Sequence, residues 1–278
     1  MANKTEETVF QASPALLAPI VASLFVGIFC AFLFLISDTS LPSVTLFSEM
    51  GLGPLANAAV FVVAMAVGAS IIYLMMKHKV RLLVRFLTSF AITVVTFFLS
   101  ELYCWMLYAM LNVSNADLLA IVSAALITIV VDLEFFVLDN HGYEVIILIL
   151  GGALGAFLGA SIPTLSAMLI LLSLAVYDVV AVFRGPVGKI ALEGLEQLRG
   201  LSFSFKDIQM GLGDLTFYSM LISHAIIFFG PLAAASGAVG VSVGSFLSFK
   251  MLEKKGMFPG LPFSIFLGLA GVFIVSLL

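Results

Sequence analysis

Charge is what this chain has least of. Asp, Glu, Lys and Arg make up 10% of its 278 residues, while 62% are hydrophobic. An average soluble domain carries about 25% charged residues. The shortage excludes a water-soluble globular fold and points to a polytopic membrane protein. No stretch is long and polar enough to form a separate soluble domain. Cysteine is nearly absent as well. Cys30 and Cys104 both fall in apolar stretches without metal-ligand spacing, so they read as packing residues and exclude a disulfide framework. A cleavable leader pattern is also missing. The first apolar run exceeds the ~7–15 residues of a signal core and no clearly basic segment precedes it, so it reads as a retained span. Repeats with a period of 20–50 residues are missing too, which excludes a solenoid.

What the chain has in abundance is apolar runs. A span needs about 20 apolar residues to cross a hydrocarbon core of about 30 Å. By that rule nine candidates run roughly 14–36, 54–76, 83–110, 117–138, 145–161, 163–183, 208–230, 232–250 and 258–278. The fold expected is therefore all-α, a single membrane-embedded domain over residues 1–278. The fifth run is short and holds Gly151, Gly152, Gly155 and Gly159, with a break at Ser161-Ile162-Pro163 before the sixth. A single broken helix there is the alternative.

The 12 Lys and Arg residues decide between the two counts. With nine spans, all of them lie on the side of the N-terminus. They are Lys4; Lys77, Lys79, Arg81 and Arg85; Arg184, Lys189, Arg199 and Lys206; and Lys250, Lys254 and Lys255. Merging the fifth and sixth runs would move the last two groups to the opposite side. The positive-inside rule then puts the N-terminus in the cytoplasm and the C-terminus outside. It makes residues 184–207 a cytoplasmic link. Within that link, Ala191 to Arg199 reads equally well as a short interfacial amphipathic helix or as a solvated linker.

Two acids stand out inside these runs. Asp178 lies in Leu174-Ala175-Val176-Tyr177-Asp178-Val179-Val180, and Asp214 closes Gly211-Leu212-Gly213-Asp214. An ionisable side chain within a span costs roughly 2.5–3.5 kcal/mol on insertion scales, so it marks function by default. Asp178 precedes Arg184 by six residues and Asp214 follows Lys206 by eight. At 1.5 Å per residue they lie about 9 and about 12 Å below those charges. Antiparallel neighbouring helices would hold both carboxyls at nearly one level. Two carboxyls about 3 Å apart share a proton and titrate as a pair. One can then take a proton from an attacking water while the other donates to a peptide oxygen. The same acids would equally serve an ion- or proton-coupled transporter as a relay, or hold helices together in a non-catalytic scaffold. Depth and charge leave all three open.

Two further segments carry signals. Gly211 and Gly213 strip side chains from the start of the seventh span, which lets a backbone or a substrate approach closely. Pro259-Gly260-Leu261-Pro262 opens the ninth with two residues that lack backbone donors and favour an extended entry. Unpaired backbone at membrane depth survives only where it lines a cavity.

Taken together, Tyr177-Asp178, Gly211-Leu212-Gly213-Asp214 and Pro259-x-Leu261 resemble the YD, GxGD and PAL motifs of the presenilin and signal peptide peptidase families. Order, spacing and span count extend the resemblance over almost the whole chain. Signal peptide peptidases carry these motifs in the opposite orientation, so the cytoplasmic N-terminus favours the presenilin branch, and Pro262 fits its PALP form. The compact chain looks most like an archaeal presenilin homologue, in the cell membrane of a prokaryote. Gly260 stands where the motif has Ala. The long cytoplasmic loop that eukaryotic presenilins cut themselves is missing.

The resemblance implies an intramembrane aspartyl endopeptidase whose substrates are transmembrane helices of other membrane proteins. Its catalytic pair would be Asp178 and Asp214, working with water. Tyr177, Gly211, Leu212 and Gly213 would border the substrate, and Pro259, Gly260, Leu261 and Pro262 would form a wall against it. No metal, cofactor or nucleic-acid partner is expected; the lipid bilayer is the surrounding partner, and a homo-oligomer stays open. Leu201-Ser202-Phe203-Ser204-Phe205 alternates with the period of a strand. The expectation for the free protein is a linker with aromatics at the membrane interface, ordering into a strand when an extended substrate binds. Glu101, Asp132 and Glu134 are expected to pack against helical partners, and His224, about 15 Å along the helix from Asp214, to be a satisfied core histidine. Asn112-Val113-Ser114 matches a glycosylation sequon without meaning in a prokaryotic chain.

Overall fold

The computed structural model of the protein describes residues 11–37, 41–135, 142–185, 202–205 and 208–277. Among them the apolar runs form nine α-helices, the all-α architecture expected. These are α1 (Ala18–Ser37), entered through a 3-10 turn at Pro14–Leu17, α2 (Gly53–Lys77), α3 (Arg81–Met110), α4 (Ala116–Leu133) and α5 (Gly142–Ser161). They continue with α6 (Thr164–Phe183), α7 (Leu212–Phe228), α8 (Pro231–Lys255) and α9 (Leu261–Ser276). Seven are long and apolar enough to cross a membrane, which makes this an integral multi-pass membrane protein. The fifth and sixth runs are separate helices, parted where Pro163 takes the extended backbone of an N-cap at φ −62°, ψ 154°.

Two helices are shorter than their apolar runs. The seventh span, expected over 208–230, begins instead at Leu212, because Ile208–Gly211 forms a strand, β2, paired antiparallel with β1 (Ser202–Phe205). The ninth, expected from 258, begins at Leu261, after Pro259. With 17 and 16 residues, α7 and α9 reach only about 25 Å at 1.5 Å per residue, short of a full crossing. The described residues directly in front of them are not helical: β2 precedes α7, and Met257 to Pro259 precede α9. The hairpin also corrects the expectation for the free chain: 202–205 is a strand without substrate. Its partner strand buries Ile208 and Met210 and exposes Gln209, the alternation of a sheet with one face on the bundle. The fourth helix ends at Leu133 and continues as a π turn over Glu134 and Phe135, and the remainder of its expected run, like residues 191–199, lies outside the described residues.

Helix α7 is the centre of the bundle, with every residue from Leu215 to Ile226 buried. It packs against α5, α1 and α8. Its approach to α5 is at backbone distance. A Cβ on Gly155 would lie 2.5 Å from the Thr216 carbonyl oxygen, and one on Gly159 2.8 Å from that of Met220. Small residues permit this contact, which is how helices associate where lipid removes the hydrophobic drive. Helices α8 and α9 meet in the same way along Gly240 and Gly244. In contrast, α6 leans on α2 and α9 and touches α7 only lightly. At the end of α6 far from Asp178, Glu49 accepts hydrogen bonds from the Leu165 and Ser166 amides (both 3.2 Å) and caps the helix.

Candidate active site

Asp178 sits in the second-to-last turn of α6, and Asp214 is the third residue of α7. Both carboxyls are directed at a helix N-terminus. Asp214 stands at the third position after Gly211, the residue that caps its own helix, the place of a capping-box acid. Asp178 performs the equivalent service across the bundle. Its Oδ2 accepts the Leu261 amide at 3.1 Å, one of the first-turn donors of α9 that no helical carbonyl can satisfy. The two carboxyls thus flank adjacent residues, Asp178 at the Leu261 amide and Asp214 beside Gly260.

The site is therefore built where α6 ends and two short helices begin. Helix starts carry positive partial charge, and here two of them face the same pair of acids. Beside Asp214 the chain is stripped. A Cβ on Gly211 would meet nothing nearer than 3.9 Å, and one on Gly213 only the Phe217 ring at 3.9 Å. Open space borders Asp214 on that side. On the other side Gly260 is tight: a Cβ there would lie 3.1 Å from Asp214 Oδ2 and 3.4 Å from the Tyr218 hydroxyl.

Most residues singled out in the sequence meet here. Gly260 and Leu261 touch the acids, Pro259 is buried beside them, and Pro262 holds the second position of α9. The Tyr177 ring feels the charge of Asp178. Its hydroxyl is buried with no hydrogen-bond partner among the described residues. Leu212 is turned elsewhere, toward Gly151 on α5. His224 is satisfied away from the site. The Gly159 carbonyl, 2.8 Å from Nδ1, can only accept, so Nδ1 donates and Nε2 takes the Thr164 hydroxyl at 3.2 Å. Asp132 accepts from the Thr93 hydroxyl between α3 and α4 (3.0 Å), a helix-packing contact.

The sequence reading passed over one group. The Gly260 carbonyl accepts the hydroxyls of Tyr218 (2.9 Å), Ser264 (3.1 Å) and Ser248 (3.4 Å). Ser245 stands behind Ser264 at 2.9 Å, and all four side chains are buried. The available signal was weak: Tyr218 lies one turn after Asp214, and Ser245 and Ser248 share a face of α8.

No protein-family model matches the chain. Presenilin-B of Dictyostelium discoideum is 33% identical over a 120-residue alignment that takes in 39% of this chain and 25% of that protein. The chain thus spans about a quarter of that relative's length. Two solved structures, each of a presenilin family intramembrane aspartate protease, in C222 and P2 crystals, share the fold. The first gives a TM-score of 0.65 at 18% identity, covering 94% of this chain and 98% of that one. The second gives 0.66 at 20%, covering 96% and 99%. The chain has the presenilin-type fold over nearly its whole length, and the resemblance in its motifs is matched by resemblance in architecture.

Proposed function

We propose that this protein is an intramembrane aspartyl endopeptidase that hydrolyses peptide bonds within transmembrane segments of other membrane proteins, with Asp178 and Asp214 as its catalytic pair. One observation carries the reading. Two carboxyls from different helices flank adjacent residues at the start of α9, Asp178 at Leu261 and Asp214 at Gly260, beside the open space at Gly211 and Gly213.

Two acids sharing one proton supply both halves of a hydrolysis. The ionised member takes a proton from water as the water oxygen bonds to the scissile carbonyl carbon. The protonated member gives its proton to the carbonyl oxygen, leaving a neutral tetrahedral diol. Collapse of the diol breaks the C–N bond while one carboxyl delivers a proton to the leaving nitrogen and the other takes the proton of a diol hydroxyl as C=O re-forms, and the pair returns to its starting state. A helical substrate must first unwind, since its carbonyls are otherwise engaged within the helix. The β1–β2 hairpin, continuous with α7, offers an edge where an unwound peptide can pair through main-chain bonds that tolerate many sequences. Leu261 and the prolines around it stand opposite as a wall.

The test is incubation of the purified protein in detergent with a single-span substrate. Defined fragments are expected, and their formation should be blocked by a peptide analogue with a hydroxyl in place of the scissile carbonyl. Asp178→Asn and Asp214→Asn should each lower turnover by ~10²–10⁴-fold or more, the range of a lost acid–base partner, with the melting temperature retained. Near-normal turnover in either variant overturns the mechanism. An intact substrate together with pH-driven flux in liposomes would move the assignment to a transporter.

A further inference from the structure

We infer that Tyr218 is a positioning residue which, through the single peptide unit joining Gly260 to Leu261, fixes Asp178 relative to the helix that carries Asp214. The inference rests on the protease reading only for its kinetic consequence. The contact itself is a matter of geometry.

A trans peptide is planar, with its C=O and N–H pointing in opposite directions. The Gly260–Leu261 peptide is held at both ends. Its N–H donates to Asp178 Oδ2 at 3.1 Å, and its oxygen receives hydroxyls from α7, α8 and α9. A carbonyl oxygen has two lone pairs, so three hydroxyls cannot all bind it at full strength. Distances rank them. Ser248 at 3.4 Å is marginal. Ser264 at 3.1 Å makes the ordinary bond of a helical serine to the carbonyl four residues back, within α9 itself. Tyr218 at 2.9 Å is the shortest and comes from another helix. It is also one turn beyond Asp214 on α7, on the same face.

The connection therefore runs from Asp214's helix through the Tyr218 hydroxyl, across one rigid peptide plane, to the Asp178 carboxyl. It matters because α6 and α7 barely touch directly. Their separation is set largely through α9, which packs on both, and the strut runs through the first turn of that helix. Hydrogen bonds in series also polarise one another, so the hydroxyl on the oxygen strengthens the donor at the nitrogen.

Tyr218→Phe removes the hydroxyl and keeps the ring. Two measurements on the full-length protein in detergent micelles decide the matter. The first needs no activity: in 15N-leucine-labelled protein, the Leu261 amide, assigned by its loss in Leu261→Ile, should move upfield. It should also exchange about tenfold faster with solvent, as expected for a weakened hydrogen bond. An unchanged Leu261 amide overturns the strut. The second is kinetic: kcat should fall about ten- to a hundredfold, the scale of misplaced reacting groups, while KM for the single-span substrate stays within about twofold. Tyr108→Phe, which removes a hydroxyl paired with Ser123 between α3 and α4, should leave both constants near wild type. An unchanged kcat in Tyr218→Phe, or a loss carried by KM, overturns the positioning role. Should Tyr218→Phe fail to fold, a fluorotyrosine at position 218, whose more acidic hydroxyl donates more strongly, is expected to move the Leu261 amide downfield, and an unmoved amide also overturns the strut. If the wild type itself cleaves nothing, the protease reading falls and the amide measurement alone judges the strut.

Discussion

Gly260 shows how much one missing methyl group can decide. Its backbone, at φ −78° and ψ −41°, is ordinary helical conformation that alanine adopts without strain. Replacing glycine by alanine in such a conformation stabilises a protein by ~0.4–1 kcal/mol through the unfolded chain. The new methyl would nevertheless lie 3.1 Å from Asp214 Oδ2 and 3.4 Å from the Tyr218 hydroxyl, so the carboxyl has to yield by a few tenths of an ångström. Stability and activity should therefore move in opposite directions. Gly260→Ala is expected to raise the melting temperature by a degree or two and to lower kcat about threefold to tenfold, because displaced acid–base groups lose rate steeply. Thermal unfolding and cleavage kinetics on one preparation check both; a kcat at or above wild type would show that the site accommodates the methyl. The two acids were legible in the sequence because charge is conspicuous in an apolar run. The hydroxyls of Tyr218, Ser248 and Ser264 were not, since serine and tyrosine are unremarkable in membrane helices and only the folded backbone brings them to one carbonyl.

At the scale of elements, the functional segments are the ones that interrupt the helices. The segment before α7 reads as apolar from Ile208 onward, and four residues are too few for periodicity to separate strand from helix. What settles it is the pairing of Phe205 with Ile208 and of Ser204 with Gln209, a tertiary fact that no local pattern contains. Two residues separate Phe205 from Ile208, and hairpins this tight close on a hydrogen-bonded pair. The next pair is then non-hydrogen-bonded, and the Ser204 amide turns to the outer edge of β1. Ser204→Pro should consequently spare the hairpin and remove a donor from the edge that an extended substrate would use. Leu261→Ala trims the wall on the other side. Both variants should reduce cleavage about tenfold, roughly the worth of one charge-free hydrogen bond or one buried side chain partly lost, with the loss concentrated in KM. Normal rates for both at subsaturating substrate would remove this binding mode and leave the aspartate assignment standing.

Across the whole molecule, the architecture follows from where charge is tolerated. Lys77 ends α2, Arg184 follows α6, and Lys254 and Lys255 lie in the last turn of α8. All these ends lie on the side of the bundle where α7 and α9 begin, the side of the two acids. The nine helices among the described residues were legible because each run is long and the breaks between runs carry proline, glycine or charge. Nine crossings would place the termini on opposite sides, and the positive-inside rule would put the N-terminus in the cytoplasm. The orientation can be read by labelling with a membrane-impermeant maleimide in sealed vesicles of known sidedness, after both native cysteines are replaced by alanine. Cysteines placed at Ser114, in the link between α3 and α4, and at Leu277 should react from outside only. One placed at Gly194, in the basic link that follows α6, should react only after the membrane is opened. The acids would then lie toward the cytoplasmic face, and cleavage would fall in the inner half of the substrate's span. The reverse pattern, with Gly194 labelled from outside, would invert the topology and align the chain with the signal peptide peptidase orientation instead.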